Sequence, residues 1–573
     1  MTLRSLLLST LASLVALSAC SADDPPARTD GGTDGPSGND ASVECTPPAM
    51  RCDGQAIDAC TGGVWVPSGV VCDIDLGERC AEGVCRRPCD VAALSNSYVG
   101  CEYWPTVTTN VVADREFFRF AVVVANPNDD VAHITVDRGG AVVATADVEP
   151  GATANLVLPW VMELLDPPSE SRRGSANVLL AGGAYHLVST LPVSAYQFNP
   201  FENEVGGRPS FSNDASLLLP TAALGSDYRV VAHASHVLGG GNREQLNPAG
   251  AAAQGSPGFF AVVATRDGTS VEVHSAARTQ RGPGSDPPLM EGEVRTYLLD
   301  RGDVLQVLSK QGFYDEAECV QPAIGGGGCT GGRLTDLTGT TITSSAPVAV
   351  FGGHRCVDLP AEWLFCDHLE EQMLPVPTWG TSALAVASEP LKPEEKNIFR
   401  VVSAVDGNQV EIVPPVAGPF NLDDGEFVDF EAAEAIEVRG TERLQLVQYE
   451  TSGMRASIVF GSVPLEPGDP AMALAVPAAQ YRRDYIFLSP ASFPISYVHV
   501  ITPTASAAPV LDGVTLDTPT AIPGSSYGWL RVAVAPGAHT IVGVAPFGIT
   551  VHGVSQACSY MYPGGLDLVP LFL

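Results

Sequence analysis

The sequence predicts an all-β protein: tandem antiparallel β-sandwich-like repeat modules preceded by a small disulfide-rich head. Three observations carry this prediction. Short β-branched runs alternate with Gly, Pro, Asn and Asp turns, the chain resembles itself over long intervals, and eight cysteines crowd the segment between Cys45 and Cys101.

The runs include Phe118–Ala125, Phe259–Thr265, Ser270–Val273 and Val304–Leu308, and Asp267-Gly268 and Asp406-Gly407 each join two of them as a hairpin turn would. Leu219-Pro220, Leu374-Pro375 and Val476-Pro477 each lead into a strand, and Phe260–Val273 has its counterpart in Phe399–Ile412. Ser345–Phe351, Thr190–Tyr196 and Val544–Thr550 also match and are read as module ends. The interval is far longer than a solenoid repeat and suits four modules at 102–205, 210–355, 366–464 and 468–573. A single propeller-like ring is the alternative arrangement.

Residues 45–101 have too little apolar content for a core of their own. Cys45, Cys52, Cys60, Cys72, Cys80, Cys85, Cys89 and Cys101 are therefore read as a disulfide knot of open connectivity. Zinc is the competitor, through the spacing of Cys85 and Cys89.

The redox compartment follows from the N-terminus. Arg4, the apolar run Leu6–Leu17 and Leu17-Ser18-Ala19-Cys20 form a signal peptide over 1–19 whose end resembles the bacterial lipobox. That resemblance makes Cys20 the lipidated first residue of the mature chain, with cleavage as an ordinary secretory signal as the alternative. Residues 20–44 are Asp, Gly, Pro, Ser and Thr with few large apolar residues, a disordered tether. The expected location is the cell envelope, lipid-anchored at the outer membrane or cell surface. No later run reaches the roughly 18 apolar residues of a membrane span.

A formal charge of −34, from 65 acidic and 31 basic residues, excludes nucleic acid as a partner. Two acidic strings, Asp73-Ile-Asp75 and Asn421–Glu426, lack the spacing of a calcium loop, and no cofactor or metal is expected.

The most distinctive stretch is Gly352–Pro375, where Cys356 and Cys366 each lie two residues from a histidine, His354 and His368. Outside the cell a disulfide closing this loop is the leading reading, and a zinc site of all four residues the other. Cys319 and Cys329, across a Gly-rich loop, invite the same disulfide reading; Cys558 is either free or paired with a head cysteine. Gly524–Gly528 matches G-x-S-x-G but follows Pro523 in a β setting, without the strand-to-helix turn of a nucleophile elbow. Arg301-Gly302-Asp303 lies between two strands, where a turn wants Gly and Asp. The histidines are scattered, and no constellation points to an enzyme.

With those residues in place, the chain resembles the IgG-Fc-binding protein N-terminal domain family. The resemblance rests on Gly353-His354-x-Cys356, on Cys366-Asp367-His368-Leu-x-Glu371-Gln372 running into Pro375, and on Ser559–Gly565. It extends from about Ser97 to the C-terminus. It implies an extracellular binding or adhesion module with no catalytic residues. The expected function is a lipid-anchored surface protein whose β-module loops, at 239–257, 275–290 and 310–333, recognise an extracellular glycan or protein. A structural envelope protein is the alternative, and a secreted hydrolase a third.

Overall fold

The computed structural model describes residues 45–73, 78–93, 96–112, 114–166, 176–239, 255–284, 286–311, 327–361, 363–364, 366–391, 395–455 and 467–572. Cys20, the signal and the tether lie outside the described residues, as does Cys319. The fold is all-β, with four large antiparallel sheets of seven, eight, seven and eight strands.

Each sheet is organised on one long strand: His186–Phe198, Thr341–Val357, Ile436–Tyr449 and Gly537–Ser555. The first half of each pairs with the sheet's opening strand (Gly100–Tyr103, Gly225–Arg229, Gly380–Ala385 and Arg482–Ser489). The second half pairs with a closing strand, respectively Ala215–Leu218, Asp367–Gln372, Met472–Leu474 and Cys558–Pro563. Between the halves the register shifts, and Pro192, Pro347 and Pro546 stand at that point in three of the sheets. A proline has no N–H to give the ladder, so the strand bends there and the sheet curls. The strings read as module ends are thus the middles of central strands, because Ala-Pro and Leu-Pro mark a bend here and not a stop.

The bend is clasped by a tyrosine on the opening strand. Tyr103 Oη accepts the Gly100 N–H at 2.8 Å and donates to the Val193 carbonyl; Tyr228 does the same with Gly225 and Val348, and Tyr485 with Arg482 and Phe547. The third sheet has Ala383 in that place. The proline of each Leu-Pro or Val-Pro link packs on the opening strand of the sheet just finished. A Cβ on Gly100 would meet Pro220 at 2.4 Å, and one on Gly225 would meet Pro375 at 2.7 Å.

The closing strands correct the module boundaries. The sequence modules at 210, 366 and 468 each open with a strand that the pairing assigns to the preceding sheet, since the chain leaves the long strand and returns antiparallel to it. These four closing strands touch one another in closed order, first to second to third to fourth and back to the first. The two ends of the four-sheet region meet: Ser97 bridges Asp567, and the Tyr98 N–H donates to the Leu566 carbonyl at 3.1 Å. One continuous apolar core draws on all four sheets, with a smaller one inside the third. The four curled antiparallel sheets are the tandem repeat modules of the all-β reading, and they meet through their closing strands.

The head carries four disulfides, Cys45–Cys60, Cys52–Cys80, Cys72–Cys85 and Cys89–Cys101. Ile57 is its only fully buried aliphatic side chain among the described residues, so covalent staples stand in for a core. Its helix Pro88–Ala92 packs on the first sheet's long strand.

Candidate functional site

Asp367–Gln372, the closing strand of the second sheet, reads Asp-His-Leu-Glu-Glu-Gln and is buried at every position. Burying such residues costs several kcal/mol each unless every polar atom finds a partner. The first sheet supplies most of the partners. Glu370 accepts from the Thr108 hydroxyl, the Gln197 amide and, at 3.2 Å, the Asn199 amide. His368 Nε2 lies 3.3 Å from Thr108 Oγ1 and 3.2 Å from Asn199 Nδ2, and its ring stacks on Phe259. The Ser216 hydroxyl lies 3.2 Å from Glu371 Oε2 and accepts the Gln372 N–H at 2.7 Å, while Gln372 Oε1 accepts the Leu219 N–H at 2.8 Å.

Asp214 is the hub. Its carboxylate accepts backbone N–H bonds from Ala215, Glu370, Met472 and Met561, at 2.9, 3.0, 3.2 and 3.4 Å, so one side chain ties a residue from each of the four closing strands. Burial pushes the Asp214 carboxyl well above the usual range, against these N–H donors, which favour the charged form. Burial likewise raises Glu371, with the Asp214 charge adding to it, and raises Asp367, with Asp469 adding to it. Cys558 is free and buried, its Sγ 3.3 Å from Asn213 Oδ1, and burial raises its thiol well above the usual range. A raised thiol is a poor nucleophile. Among the described residues the axis is a closely packed, buried polar seam between the sheets.

Beside this strand Cys356 and Cys366 are joined by a disulfide with a Cα–Cα distance of 5.1 Å. His354 pairs in register with Leu369, so it shares that residue's face, and His368 projects from the other. His354 faces His233, with ring centroids 6.2 Å apart, and its Nδ1 accepts the Cys356 N–H at 3.1 Å. The four residues therefore do not converge as zinc ligands. Among the described residues no group of three or more His, Cys, Asp or Glu is placed to hold a metal ion.

The two suspicious strings are one repeated turn. In the second sheet the Arg301 N–H donates to Asp267 Oδ1 and the Asp300 N–H to Asp303 Oδ2, both at 3.0 Å. In the third, the Asp424 N–H donates to Asp406 Oδ1 and the Asp423 N–H to Glu426 Oε2, again at 3.0 Å. Gly302, Gly425 and Gly524 follow with φ of +84°, +76° and +83°, a conformation that favours glycine. The turn also reaches back to the preceding sheet. Arg301 bonds Glu102 at 3.3 Å and covers Trp104; Asp424 bonds Arg229 at 2.8 Å; Gly524 accepts from Arg439 at 3.0 Å. Arg301-Gly302-Asp303 and Gly524–Gly528 are thus clasps between sheets, the first through the Arg301 side chain and the second through the Gly524 carbonyl.

The seam between the second and third sheets opens to solvent, as does a larger cleft of about 850 Å³ between the head and the first sheet. Arg400, 2% exposed in its side chain, bonds Asp336 at 2.9 Å and Asp429 at 2.7 Å and lies over Phe427 at 4.1 Å. Burial disfavours its charge, but the two carboxylates outweigh this and hold its pKa well above the usual value. Arg333 lies on the same Phe427 ring at 4.8 Å and is exposed. It stands between two open clefts of about 470 and 350 Å³. The first takes in Thr330 and Gly332, the second Ser275 and Ala276.

Sequence reasoning singled out Asp367, His368, Glu371 and Gln372 as a string and did not find Asp214, Glu370, Asn199, Gln197, Thr108 or Arg400. Their partners lie up to 347 positions away in the chain. Asn213-Asp214 just before a Leu-Pro strand is the one local hint.

A solved GH78 family rhamnosidase of Bacillus sp. GL1 aligns with 82% of this chain and 55% of its own at 9% identity, but the TM-score of 0.09 carries no argument. The IgGFc-binding protein of Homo sapiens is 26% identical over 363 residues, which are 61% of this chain and 6% of that much longer protein. The family model described as IgGFc binding protein matches residues 214–553, from the Asp214 hub into the fourth sheet's long strand. The match takes in more than half of the sequence, and the chain belongs to the IgGFc-binding protein family.

Proposed function

We propose that this chain is a surface protein, anchored through a lipidated Cys20, that binds an extracellular protein or glycan through the loops along the seam between its second and third sheets. The observation that carries the reading is the pair of clefts flanking Arg333. They are lined in part by two of the loop segments that sequence reasoning singled out, 275–290 and 310–333. The family residues are spent on internal cohesion, so recognition falls to the rim. The human relative's name supplies immunoglobulin as one candidate ligand among several. The outer-membrane location, the pairing of Cys319 with Cys329 and the tether at 20–44 belong to the same proposal.

The test is retention of the purified mature protein on immobilised immunoglobulin, mucin and cell-wall glycan, beside an Arg333→Glu variant. Saturable binding to one of these, weakened about tenfold or more by the charge reversal, supports the reading. Binding unaffected by Arg333→Glu removes the seam from it. No retention on any surface favours the structural envelope alternative. Intact-mass analysis of membrane-extracted protein, with Cys20→Ala as control, tests the anchor.

A further inference from the structure

The seam between the third and fourth sheets holds a second polar cluster that neither the family motif nor the binding reading uses. His499, on the strand Ile495–Pro503, is 1% exposed. Arg531, on the neighbouring strand Tyr527–Ala533, points its Nε–H at His499 Nε2 from 3.3 Å. The same guanidinium crosses to the third sheet, where it pairs with Glu389 and donates to the Ala387 carbonyl at 2.6 Å. His552 lies beside His499, ring centroids 5.9 Å apart, and is engaged by both oxygens of the buried Glu450 at 2.9 and 3.0 Å. Tyr497 stacks on His552 from the same face. The charged and titratable groups around His499 are therefore Arg531, His552, Tyr497, Glu450 and Glu389.

This geometry fixes the tautomer. Because Arg531 donates to Nε2, the single proton of neutral His499 sits on Nδ1, which has no hydrogen-bond partner among the described residues. A second proton has only Nε2 to go to, the atom Arg531 occupies. An imidazolium donates from both nitrogens, so the Arg531 Nε–H would then face another N–H and a like charge. Glu450 is committed to His552 and cannot offset it.

We propose that protonation of His499 expels Arg531 and so unlatches the third sheet from the fourth at this seam. Burial, then the neighbouring His552 and Arg531 charges, hold the His499 imidazole well below the usual histidine range. The latch is thus closed at neutral pH and opens on acidification. Its release severs the ties to Glu389 and Ala387 together. This device is independent of which ligand the other seam takes.

Amide hydrogen exchange on the full chain tests it, at about pH 7.5 and about pH 5 with times scaled for intrinsic exchange. The reporters are the Ser388 N–H, held by Asn397 Oδ1 at 2.6 Å, and the strand Tyr527–Ala533. The expected result is faster exchange at both on acidification, by up to about tenfold per pH unit. In His499→Gln the side-chain oxygen still accepts from Arg531 but takes up no proton, and the pH response disappears. His552→Gln keeps it. Arg531→Ala exchanges fast at both pH values and serves even where a histidine variant fails to fold. Unchanged wild-type protection, a response surviving in His499→Gln, a response lost in His552→Gln, or full protection in Arg531→Ala at neutral pH would each overturn the proposal.

Discussion

At the axis of the ring, Asp214 is fully buried and accepts N–H bonds from four strands; at the rim, Asp424, 41% exposed, pairs with Arg229 of the preceding sheet. Both are aspartates joining sheets, yet the physics differs. The axial carboxylate accepts from four backbone donors in a buried interior, so removing it takes away their shared acceptor. The rim pair is half open: Asp424 competes with water, and the Arg229 side chain, 9% exposed, still has Asp227 at 2.8 Å if Asp424 is lost. The rim also tolerates reversal. Arg301 stands where Asp424 stands one sheet later, and its partner Glu102 carries the opposite sign from Arg229. A contact that evolution can invert is one whose charge sign the fold does not dictate. No such inversion is open to Asp214, because backbone N–H groups donate whatever the sequence.

The largest effect should come from Asp214→Ala. It leaves four backbone N–H groups without their acceptor and should cost roughly 3–5 kcal/mol, read from the urea midpoint of the ring. A loss under about 1 kcal/mol would mean that the axis is no more demanding than the rim. Next, the double change Cys356→Ser with Cys366→Ser opens a loop closed over a sequence separation of 10 and should cost about 2–3 kcal/mol. The same urea titration measures it, and the axial network should persist.

The axis also has a pH signature. His354 is buried and neutral, its pKa pushed well below the usual value by burial and then by His233, His236 and His368. The unfolded chain protonates this group from about pH 6.5 downward and the folded chain does not, so stability is present above that pH and is lost as pH falls toward the folded pKa. Asp214, Asp367 and Glu371 have raised values, so their contribution runs the other way, full below about pH 4 and lost as pH rises through their folded pKa values. His354→Gln should therefore flatten the fall in stability below about pH 6.5, by up to about 1.4 kcal/mol per pH unit. An unchanged slope in that variant would assign the fall to other histidines.

The same contrast governs what the sequence could reveal. β-branched runs, Leu-Pro links and hairpin turns are local consequences of burial and backbone geometry, so the all-β class and the repeats were legible. The Ala-Pro string was legible as a repeat but not as a bend, because a proline marks a strand's end and a strand's kink alike. The string Asp367–Gln372 was legible as a family motif but not as a strand, since its polar residues hide a fully buried strand whose partners, Thr108, Gln197, Asn199 and Asp214, are supplied from another sheet. Patterning reports burial only where burial is apolar. A buried strand partnered in part by distant side chains carries no periodic signal.

The smallest effect belongs to the rim, and it sharpens the contrast most. Arg301→Ala removes an ion pair to Glu102 at 3.3 Å, a contact with His186 at 3.0 Å and a guanidinium lying 5.0 Å from the centroid of Trp104. Arg301 is 47% exposed and Glu102 38%, so water takes over the charges and the cost should be about 0–1 kcal/mol. The turn itself should survive, because the Arg301 contribution to it is a backbone N–H donated to Asp267, which alanine retains. Replacing Gly302 instead, at φ +84°, strains the turn and should cost more than losing the charged side chain beside it. If Gly302→Ala proves milder than Arg301→Ala in the same urea titration, the clasp is held by its ion pair and the rim is closer to the axis in kind than the exposure of its partners implies.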